Sequence, residues 1–164
     1  MEIERKFLVT KLPDNLAEYP HAELSQGYLA SKVTTVRIRR ADDRYYLTIK
    51  KKPDASQDSK DALVNVEIEE EIPAELFERL SKYVETPLLR KTRYRIPHLS
   101  YVAELDLYHG VLEGLATAEI EFPNLSEAKL SDLPEWFGRE VTGDRRYRNS
   151  ELAKLTTLDG LPLE

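Results

Sequence analysis

The sequence predicts a mainly β protein of the α+β class, with about eight strands that follow one another along the chain and are therefore mostly antiparallel. Seven short stretches place charged residues two apart with mostly apolar residues between them, and this period of two is typical of a strand with two different faces. One longer stretch instead has apolar residues at helical spacing. At 164 residues with 41% hydrophobic content, the chain is expected to form one domain over residues 1–164.

The eight strands are expected where this alternation runs between turn-forming residues. Their predicted ranges are about 3–12, 22–30, 34–41, 44–51, 63–72, 90–97, 101–108 and 115–122. The polar segment Lys51–Ala62 between the fourth and fifth strands is predicted to be a mobile connection.

Three helices are predicted between or after the strands. The first covers Pro73–Val84, with one apolar face and a proline suited to its first turn. The second is expected to begin near Ser126. The third is expected after Asn149, an N-cap residue, and to be anchored by Leu152 and Leu155.

Charge and composition exclude several classes of protein. A net charge of −6 argues against a nucleic-acid binder that relies on a general basic surface. The absence of cysteine excludes disulfides and thiolate metal sites. No run of about 18 apolar residues predicts a membrane span, and the start at Met1 without a signal peptide favours the cytoplasm. The sequence leaves a homodimer open.

The charges on the predicted strands are sorted by sign. The stretches are Glu2-Ile3-Glu4-Arg5-Lys6, Arg37-Ile38-Arg39, Leu47-Thr48-Ile49-Lys50, Glu67-Ile68-Glu69, Lys91-Thr92-Arg93, Glu104-Leu105-Asp106 and Glu119-Ile120-Glu121. Like charges on one strand face repel each other, so a polyanion on the basic strands and divalent cations on the acidic strands would relieve them. The alternative is an ordinary charged outer surface.

The apolar residues of the other parity are predicted to form the core. They are Ile3, Phe7, Val36, Ile38, Ile68, Leu105, Leu107, Ile120 and Phe122. In a barrel with a polar interior, these outer faces would pack under the helices while the charges point inward.

In this order the motifs resemble those of the CYTH superfamily, the triphosphate tunnel metalloenzymes. The first stretch matches its E-x-E-x-K signature, and the others resemble R-x-R, L-T-x-K, E-x-E, K-x-R-Y, E-x-D and E-x-E-F. Residues 136–149 resemble the C-terminal W-F-G-x-E-V-T-x-D-x-x-Y-x-N box of the short bacterial members. Two positions depart from the common pattern, since Asn65 stands where an arginine is usual and Arg145 where a lysine is frequent.

The resemblance implies a closed eight-stranded antiparallel β-barrel, the triphosphate tunnel fold, with helices packed outside. It also implies metal-dependent hydrolysis of a triphosphate, with inorganic tripolyphosphate cleaved to diphosphate and phosphate inside the tunnel. Mg²⁺ or Mn²⁺ is the expected cofactor, because these cations bind carboxylate, phosphate and water oxygens. Zinc is not expected, since neither histidine nor cysteine lies near the motifs.

Site residues follow from the same resemblance. Substrate-binding residues are predicted to be Lys6, Arg37, Arg39, Lys50, Lys91, Arg93 and Arg145. Metal ligands are predicted among Glu2, Glu4, Glu67, Glu69, Asp106, Glu119 and Glu121, with Glu104 in the same inward set. Direct roles in catalysis are predicted for Glu2, Glu4, Glu67, Glu69 and Lys91. One metal would be held by Glu2, Glu4 and Glu121, and Glu67 and Glu69 would lie near the attacking water.

Other residues are predicted to play supporting parts. Trp136, Phe137 and Tyr147 are expected to pack, and Tyr28 to pack against the barrel. Asp144 and Arg145 are candidates for closing one tunnel mouth. The three histidines are predicted to be surface or structural residues: His21, His98 and His109.

Three alternatives to tripolyphosphate hydrolysis stay open. An adenylate cyclase would form cyclic AMP and diphosphate from ATP, but no residues for an adenine pocket can be named. A thiamine triphosphatase or nucleoside triphosphatase would differ only in its organic group. A polyphosphate-binding module without activity would gain nothing from so many inward carboxylates.

Overall fold

The computed structural model describes residues 2–51, 63–130 and 132–164 and contains eight strands. They are β1 (Glu2–Leu8), β2 (His21–Ser31), β3 (Thr34–Ala41), β4 (Arg44–Lys51), β5 (Leu63–Glu71), β6 (Leu89–His98), β7 (Tyr101–Tyr108) and β8 (Ala116–Glu121). The eight predicted strands are confirmed. β1 ends earlier than expected, and the predicted loop lies almost wholly in residues 52–62, outside the described residues.

The strands form one strongly curled antiparallel sheet. Their order is β1-β5-β4-β3-β2-β6-β7-β8, and β1 pairs with both β5 and β8. The predicted mainly β, antiparallel class is therefore confirmed, while the closed tunnel stays a prediction.

The seam along β1 is shared by two partners. Among the described residues, β5 pairs with the first part of β1, from Glu2 to Glu4. Beyond this point the C-terminal chain takes over, because the Val141 N–H donates to the Lys6 carbonyl at 2.8 Å and the Leu8 N–H donates to the Arg139 carbonyl at 2.9 Å.

Side chains of the C-terminal box hold this seam together. Glu140 accepts two hydrogen bonds from Arg5, at 2.9 and 2.7 Å, and the Thr142 hydroxyl accepts from the Lys6 N–H at 2.9 Å. Gly138 approaches β1 so closely that a Cβ atom there would lie 2.6 Å from the Leu8 carbonyl oxygen. The G-x-E-V-T part of the box therefore serves to join the C-terminal chain to β1.

The helices pack at different places on the sheet. α1 (Ala74–Ser81) lies against β3 and β4, and α2 (Leu125–Leu130) lies against β1. α3 (Asn149–Leu152) instead lies near β2, and its Leu152 packs with Leu8, Tyr28 and Tyr108, which have the inward parity of their strands. It therefore fills one end of the sheet interior rather than covering the outside. None of the helices in the described residues is long and apolar enough to cross a membrane.

Three details of the expected core differ from the sequence prediction. Arg148, not Asn149, occupies the N-cap position of α3, because the Asn149 side chain accepts a hydrogen bond from the Tyr108 hydroxyl at 2.6 Å. Leu155 is 36% exposed and anchors little. Ile68 is 58% exposed, and the helix that covers β3 and β4 makes no comparable contact with β5.

Candidate active site

A cavity of about 580 Å³ lies on the concave side of the curled sheet. All eight strands contribute side chains to it, together with residues of the C-terminal chain. Its charged strand residues are Glu4, Lys6, Arg37, Arg39, Lys50, Glu67, Glu69, Arg93, Arg95, Glu104, Glu119 and Glu121. The sorted strand faces of the sequence therefore converge on one interior, which rules out the alternative of a simple charged outer surface.

On β3, β4 and β5 the basic and acidic residues face each other. Lys50 lies opposite Glu67 in the strand register, and their side chains form an ion pair at 2.9 Å. Arg39 and Arg37 contact Glu69 at 3.1 and 3.4 Å. We call these five residues the paired wall; each of its three cations contacts a carboxylate, although Arg37 and Arg39 share Glu69.

One donor of the paired wall is left over. The Nε atom of Arg37 is buried and has no hydrogen-bond acceptor among the described residues. A buried donor without an acceptor costs free energy. An anion in the cavity would supply the missing acceptor, since Arg37 is part of its lining.

Deeper in the sheet, five charged residues form what we call the buried cluster. Its members are Lys6, Lys91, Arg93, Asp106 and Glu119. Asp106 is fully buried, and it accepts from Lys91 Nζ at 2.6 Å and from two Arg93 nitrogens at 2.7 and 2.8 Å. Lys6 and Glu119 lie opposite each other in the register and form an ion pair at 2.9 Å.

Mutual attraction dominates the pKa values of most of the buried cluster. Burial disfavours each charged form, yet Lys6 and Arg93 together hold the pKa of Glu119 well below its ordinary value. Burial likewise opposes a charged Lys6, but Glu119, Tyr108 and Asp106 together outweigh burial and raise the pKa of Lys6. Lys91 is the exception, because burial lowers its pKa to about 7 against the attraction of Asp106. A lysine with this pKa can hold or release a proton near neutral pH.

A third arrangement occurs where β1 meets β8. Glu4 and Glu121 lie directly opposite each other in the register, and like charges so placed repel. Among the described residues none forms an ion pair or side-chain hydrogen bond with Glu4. Burial first, and then Glu119 and Glu121, raise the pKa of Glu4 to about 6. We call Glu4 and Glu121 the acidic pair.

The acidic pair fits a hard divalent cation. Within the described side chains, no group of three or more carboxylates or imidazoles is arranged to hold a metal ion. Mg²⁺, however, is commonly bound by one or two carboxylates, with water and ligand phosphates completing its shell. Glu2 lies two residues before Glu4 on β1 and shares its parity, but its side chain lies outside the described residues.

Several predicted site residues do not line the cavity. Lys91 is 1% exposed and points at Asp106, and neither residue belongs to the lining. The metal-ligand prediction for Asp106 does not fit this geometry, because cations already occupy both of its oxygens. Arg145 is exposed and also lies outside the lining.

The sequence interpretation also missed lining residues. Arg148, Tyr46 and Thr48 contribute to the cavity. Thr48 could have been found from its place two residues before Lys50, whose inward parity it shares. Arg148 carries no strand periodicity, and its position depends on how the C-terminal chain folds back.

The predicted supporting residues are largely where expected. Phe137 stacks between Phe7 and Trp136, at ring distances of 4.6 and 4.7 Å. Tyr147 is fully buried and donates to the Pro162 carbonyl at 2.6 Å. Tyr28 is buried as predicted but also borders the cavity, as does the exposed His21.

Comparison with known proteins agrees with this geometry. A protein 37% identical over 156 residues, spanning 93% of this chain and 96% of its own length, is the inorganic triphosphatase of Nitrosomonas europaea. The inorganic triphosphatase of Acetivibrio thermocellus is 38% identical over 156 residues and 93% of either chain. A crystal structure of an inorganic triphosphatase superposes with a TM-score of 0.67 at 34% identity, covering 96% of this chain and 97% of that one.

The family model of the CYTH domain matches residues 1–157. The match covers all eight strands and the C-terminal chain that completes the β1 seam. The chain therefore belongs to the CYTH domain family.

Proposed function

We propose that this protein is a metal-dependent triphosphatase that cleaves inorganic tripolyphosphate to diphosphate and phosphate in its charged cavity. The observation that carries the proposal is the contrast within that cavity, where a set of Lys and Arg side chains faces Glu4, a carboxylate that lies opposite Glu121 and forms no ion pair with any described residue. The names of the two bacterial relatives, which cover nearly the whole chain, agree with it.

The basic residues are suited to a phosphate chain. Arg37, Arg39 and Arg93 offer planar forks that match phosphate oxygens, while Lys6 and Lys50 act as point charges. The unpaired Arg37 Nε–H supports the same proposal. When a phosphate chain binds, its oxygens would replace Glu69 and Glu67 as partners of the three cations of the paired wall.

The acidic pair is proposed to hold the metal, with Glu2 as a further ligand. Bound there, Mg²⁺ or Mn²⁺ would supply charge neutralisation on the phosphate oxygens and lower the pKa of a coordinated water. Proton loss from Glu4, whose pKa of about 6 is raised by burial and neighbouring carboxylates, would accompany metal binding. Once the cations of the paired wall have bound phosphate, Glu67 and Glu69 are proposed to orient the attacking water. Its oxygen bonds to a terminal phosphorus as the bond to the diphosphate leaving group breaks.

Within the buried cluster, Asp106 and Lys91, which lie outside the cavity lining, are proposed to position other residues rather than to touch the substrate. Asp106 fixes the Arg93 guanidinium at its Nε and NH2 edge, while Glu104 engages NH1. This holds Arg93 in one orientation beside the cavity. Lys91 supports Asp106 from behind, so its predicted contact with substrate becomes an indirect one.

We further propose that the sheet works as a closed tunnel. The pairing of β1 on both sides supports closure. The C-terminal chain extends the seam from Lys6 to Leu8. Closure would exclude bulk water and strengthen each charged contact in the interior.

The test is product release from tripolyphosphate, ATP and thiamine triphosphate, each with Mg²⁺, Mn²⁺ or chelator. The wild type is compared with Glu4→Gln and with Glu70→Gln as a matched control, since Glu70 is an exposed residue outside the cavity lining. We expect metal-dependent phosphate and diphosphate from tripolyphosphate, a loss of at least about 100-fold in Glu4→Gln, and unchanged rates in Glu70→Gln.

Other products would redirect the assignment. Cyclic AMP and diphosphate from ATP, without phosphate release, would indicate a cyclase. Unchanged metal-dependent turnover in Glu4→Gln would refute the role of the acidic pair. Binding of tripolyphosphate without turnover would leave a polyphosphate-binding protein.

A further inference from the structure

Two cations border the cavity without a carboxylate partner. Each of Lys6, Arg37, Arg39, Lys50, Arg93 and Arg95 forms an ion pair with a glutamate. Arg148 and Lys32 line the same cavity, and within the described residues no carboxylate lies within ion-pair distance of either one. Their positive charge is therefore available to a ligand without the rupture of an existing ion pair.

Both cations lie at the same end of the cavity. Lys32 is in the turn between β2 and β3, whose residues Ser31, Val33 and Thr35 line this end. Arg148 immediately precedes α3, and α3 contacts β2. The acidic pair lies towards the other end of the sheet, since Glu4 is close to the start of β1 and Glu121 is the last residue of β8.

The fold holds the Arg148 backbone in place on both sides. Tyr147 before it and Leu152 after it are fully buried. The carbonyl of Arg148 accepts from the Glu151 and Leu152 N–H groups, both at 2.9 Å, while its side chain makes no capping hydrogen bond. The guanidinium thus has no structural task in the cap, and its substitution leaves these backbone contacts intact.

The acidic residue of this segment that lines the cavity is bound to another residue. Asp144 also lines the cavity, but its carboxylate accepts from the Arg146 side chain at 2.7 Å and from the Arg146 N–H at 3.1 Å. This contact lowers the pKa of Asp144, so the carboxylate stays charged and bound to Arg146. Arg148 keeps its own charge for the cavity.

We propose that Arg148, assisted by Lys32, forms an additional anion subsite that receives the fourth phosphate of a linear inorganic polyphosphate. The subsite extends the row of strand cations beyond the length that a triphosphate requires. It rests on the proposed function in that the first three phosphates occupy the strand cations. Unpaired cations favour an anionic extension over the uncharged sugar and base of a nucleoside triphosphate.

Arg148 was not among the predicted binding residues. It stands between Tyr147 and Asn149, at a position that the C-terminal box leaves unspecified. Arg145, which the sequence predicted to bind substrate, is exposed and outside the lining. We therefore expect substitution of Arg148, but not of Arg145, to change the preference for polyphosphate chain length.

The test is calorimetric titration of the full chain with tripolyphosphate, tetrapolyphosphate and ATP in the presence of chelator, which prevents metal-dependent turnover. Four variants accompany the wild type: Arg148→Ala, Arg148→Lys, Arg145→Ala and Lys154→Ala. Lys154 is an exposed cation just after α3 that pairs with Glu151 and lies outside the lining, so it controls for net charge.

We expect Arg148→Ala to weaken tetrapolyphosphate binding about tenfold, the effect of one charged hydrogen-bonded contact. Its Kd values for tripolyphosphate and ATP should stay near the wild-type values. Arg148→Lys should restore part of the affinity, and the other two variants should bind all three ligands like the wild type. An unchanged melting temperature in Arg148→Ala would confirm that the fold is intact.

Equal weakening of all three ligands, no weakening of any, or no binding of tetrapolyphosphate by the wild type would overturn the subsite. An effect of Arg145→Ala in place of Arg148→Ala would move it to the other arginine. Hydrolysis is scored separately with Mg²⁺. If the wild type binds tetrapolyphosphate through Arg148 but cleaves no phosphate chain, the subsite stands and the triphosphatase proposal fails.

Discussion

The buried cluster and the acidic pair share strands β1 and β8, yet their charges are arranged in opposite ways. In the buried cluster each carboxylate touches at least one cation, and Asp106 touches two. In the acidic pair, Glu4 faces another glutamate and has no ion-pair partner among the described residues. Burial is therefore compensated by ion pairs in the buried cluster and not compensated by an ion pair at Glu4.

The difference separates structure from function. Charges matched by the protein itself stabilise the fold and fix the orientation of a side chain such as Arg93. A carboxylate with a raised pKa, such as Glu4, is instead a candidate functional group. The paired wall stands between these cases, because its ion pairs are partly exposed and are proposed to be exchanged for phosphate contacts.

The largest expected effect is the loss of a carboxylate from the buried cluster. Asp106→Asn leaves Lys91 and Arg93 buried without their shared counter-charge, so we expect the free energy of unfolding to fall by about 3–5 kcal/mol. Urea denaturation at neutral pH measures this directly. Glu71→Gln serves as the control, since it breaks an exposed ion pair with Arg44 and should hardly move the midpoint. Similar midpoints for both variants would show that the buried cluster contributes little to stability.

The contrast between these regions could be predicted from the sequence only in part. Strict alternation placed the ends of seven strands within one residue. It also assigned most charged residues of the seven stretches to the concave side. Asp106 and Glu4 nevertheless look alike in sequence, as members of E-x-D and E-x-E pairs. Register decides their environments: β6 places Arg93 opposite Asp106, while β8 places Glu121 opposite Glu4.

Contacts between distant parts of the chain were harder to predict. Residues 138–142 are far from β1 in sequence, and no local pattern reveals that they pair with it. Arg148 reaches the cavity only because Tyr147 and Leu152 are buried on either side of it. The exposure of Ile68 reflects which strands a helix covers, and a periodic apolar residue looks the same with or without such cover.

A second, smaller effect should appear in the acidic pair, with the opposite sign. Because the pKa of Glu4 is raised to about 6 in the folded protein, the folded state binds a proton more tightly than the unfolded state. The metal-free protein should therefore gain stability as the pH falls from 7 towards 5. In chelator at pH 7.5, Glu4→Gln should be more stable than the wild type by about 1–2 kcal/mol.

Urea denaturation between pH 5 and pH 8 measures this difference, which should shrink towards pH 5. Glu70→Gln, an exposed residue of β5, is the control for the loss of one negative charge. A Glu4→Gln protein that is less stable than the wild type at every pH would show that Glu4 is already compensated, as the buried cluster is.

The smallest effect concerns the paired wall, where a neutral group joins the charges. The Thr48 hydroxyl is buried, donates to Glu69 at 2.8 Å and accepts from Arg37 at 3.1 Å. Thr48→Val keeps the shape but removes both hydrogen bonds, so we expect a loss of about 1 kcal/mol and a fall in melting temperature of about 2–4 °C. If phosphate oxygens replace Glu69 as the partner of Arg37, this fall should shrink when tripolyphosphate is added at saturation. An equal fall with and without ligand would mean that Arg37 stays bound to Glu69. The ion pairs of the paired wall would then stabilise the fold, as those of the buried cluster do.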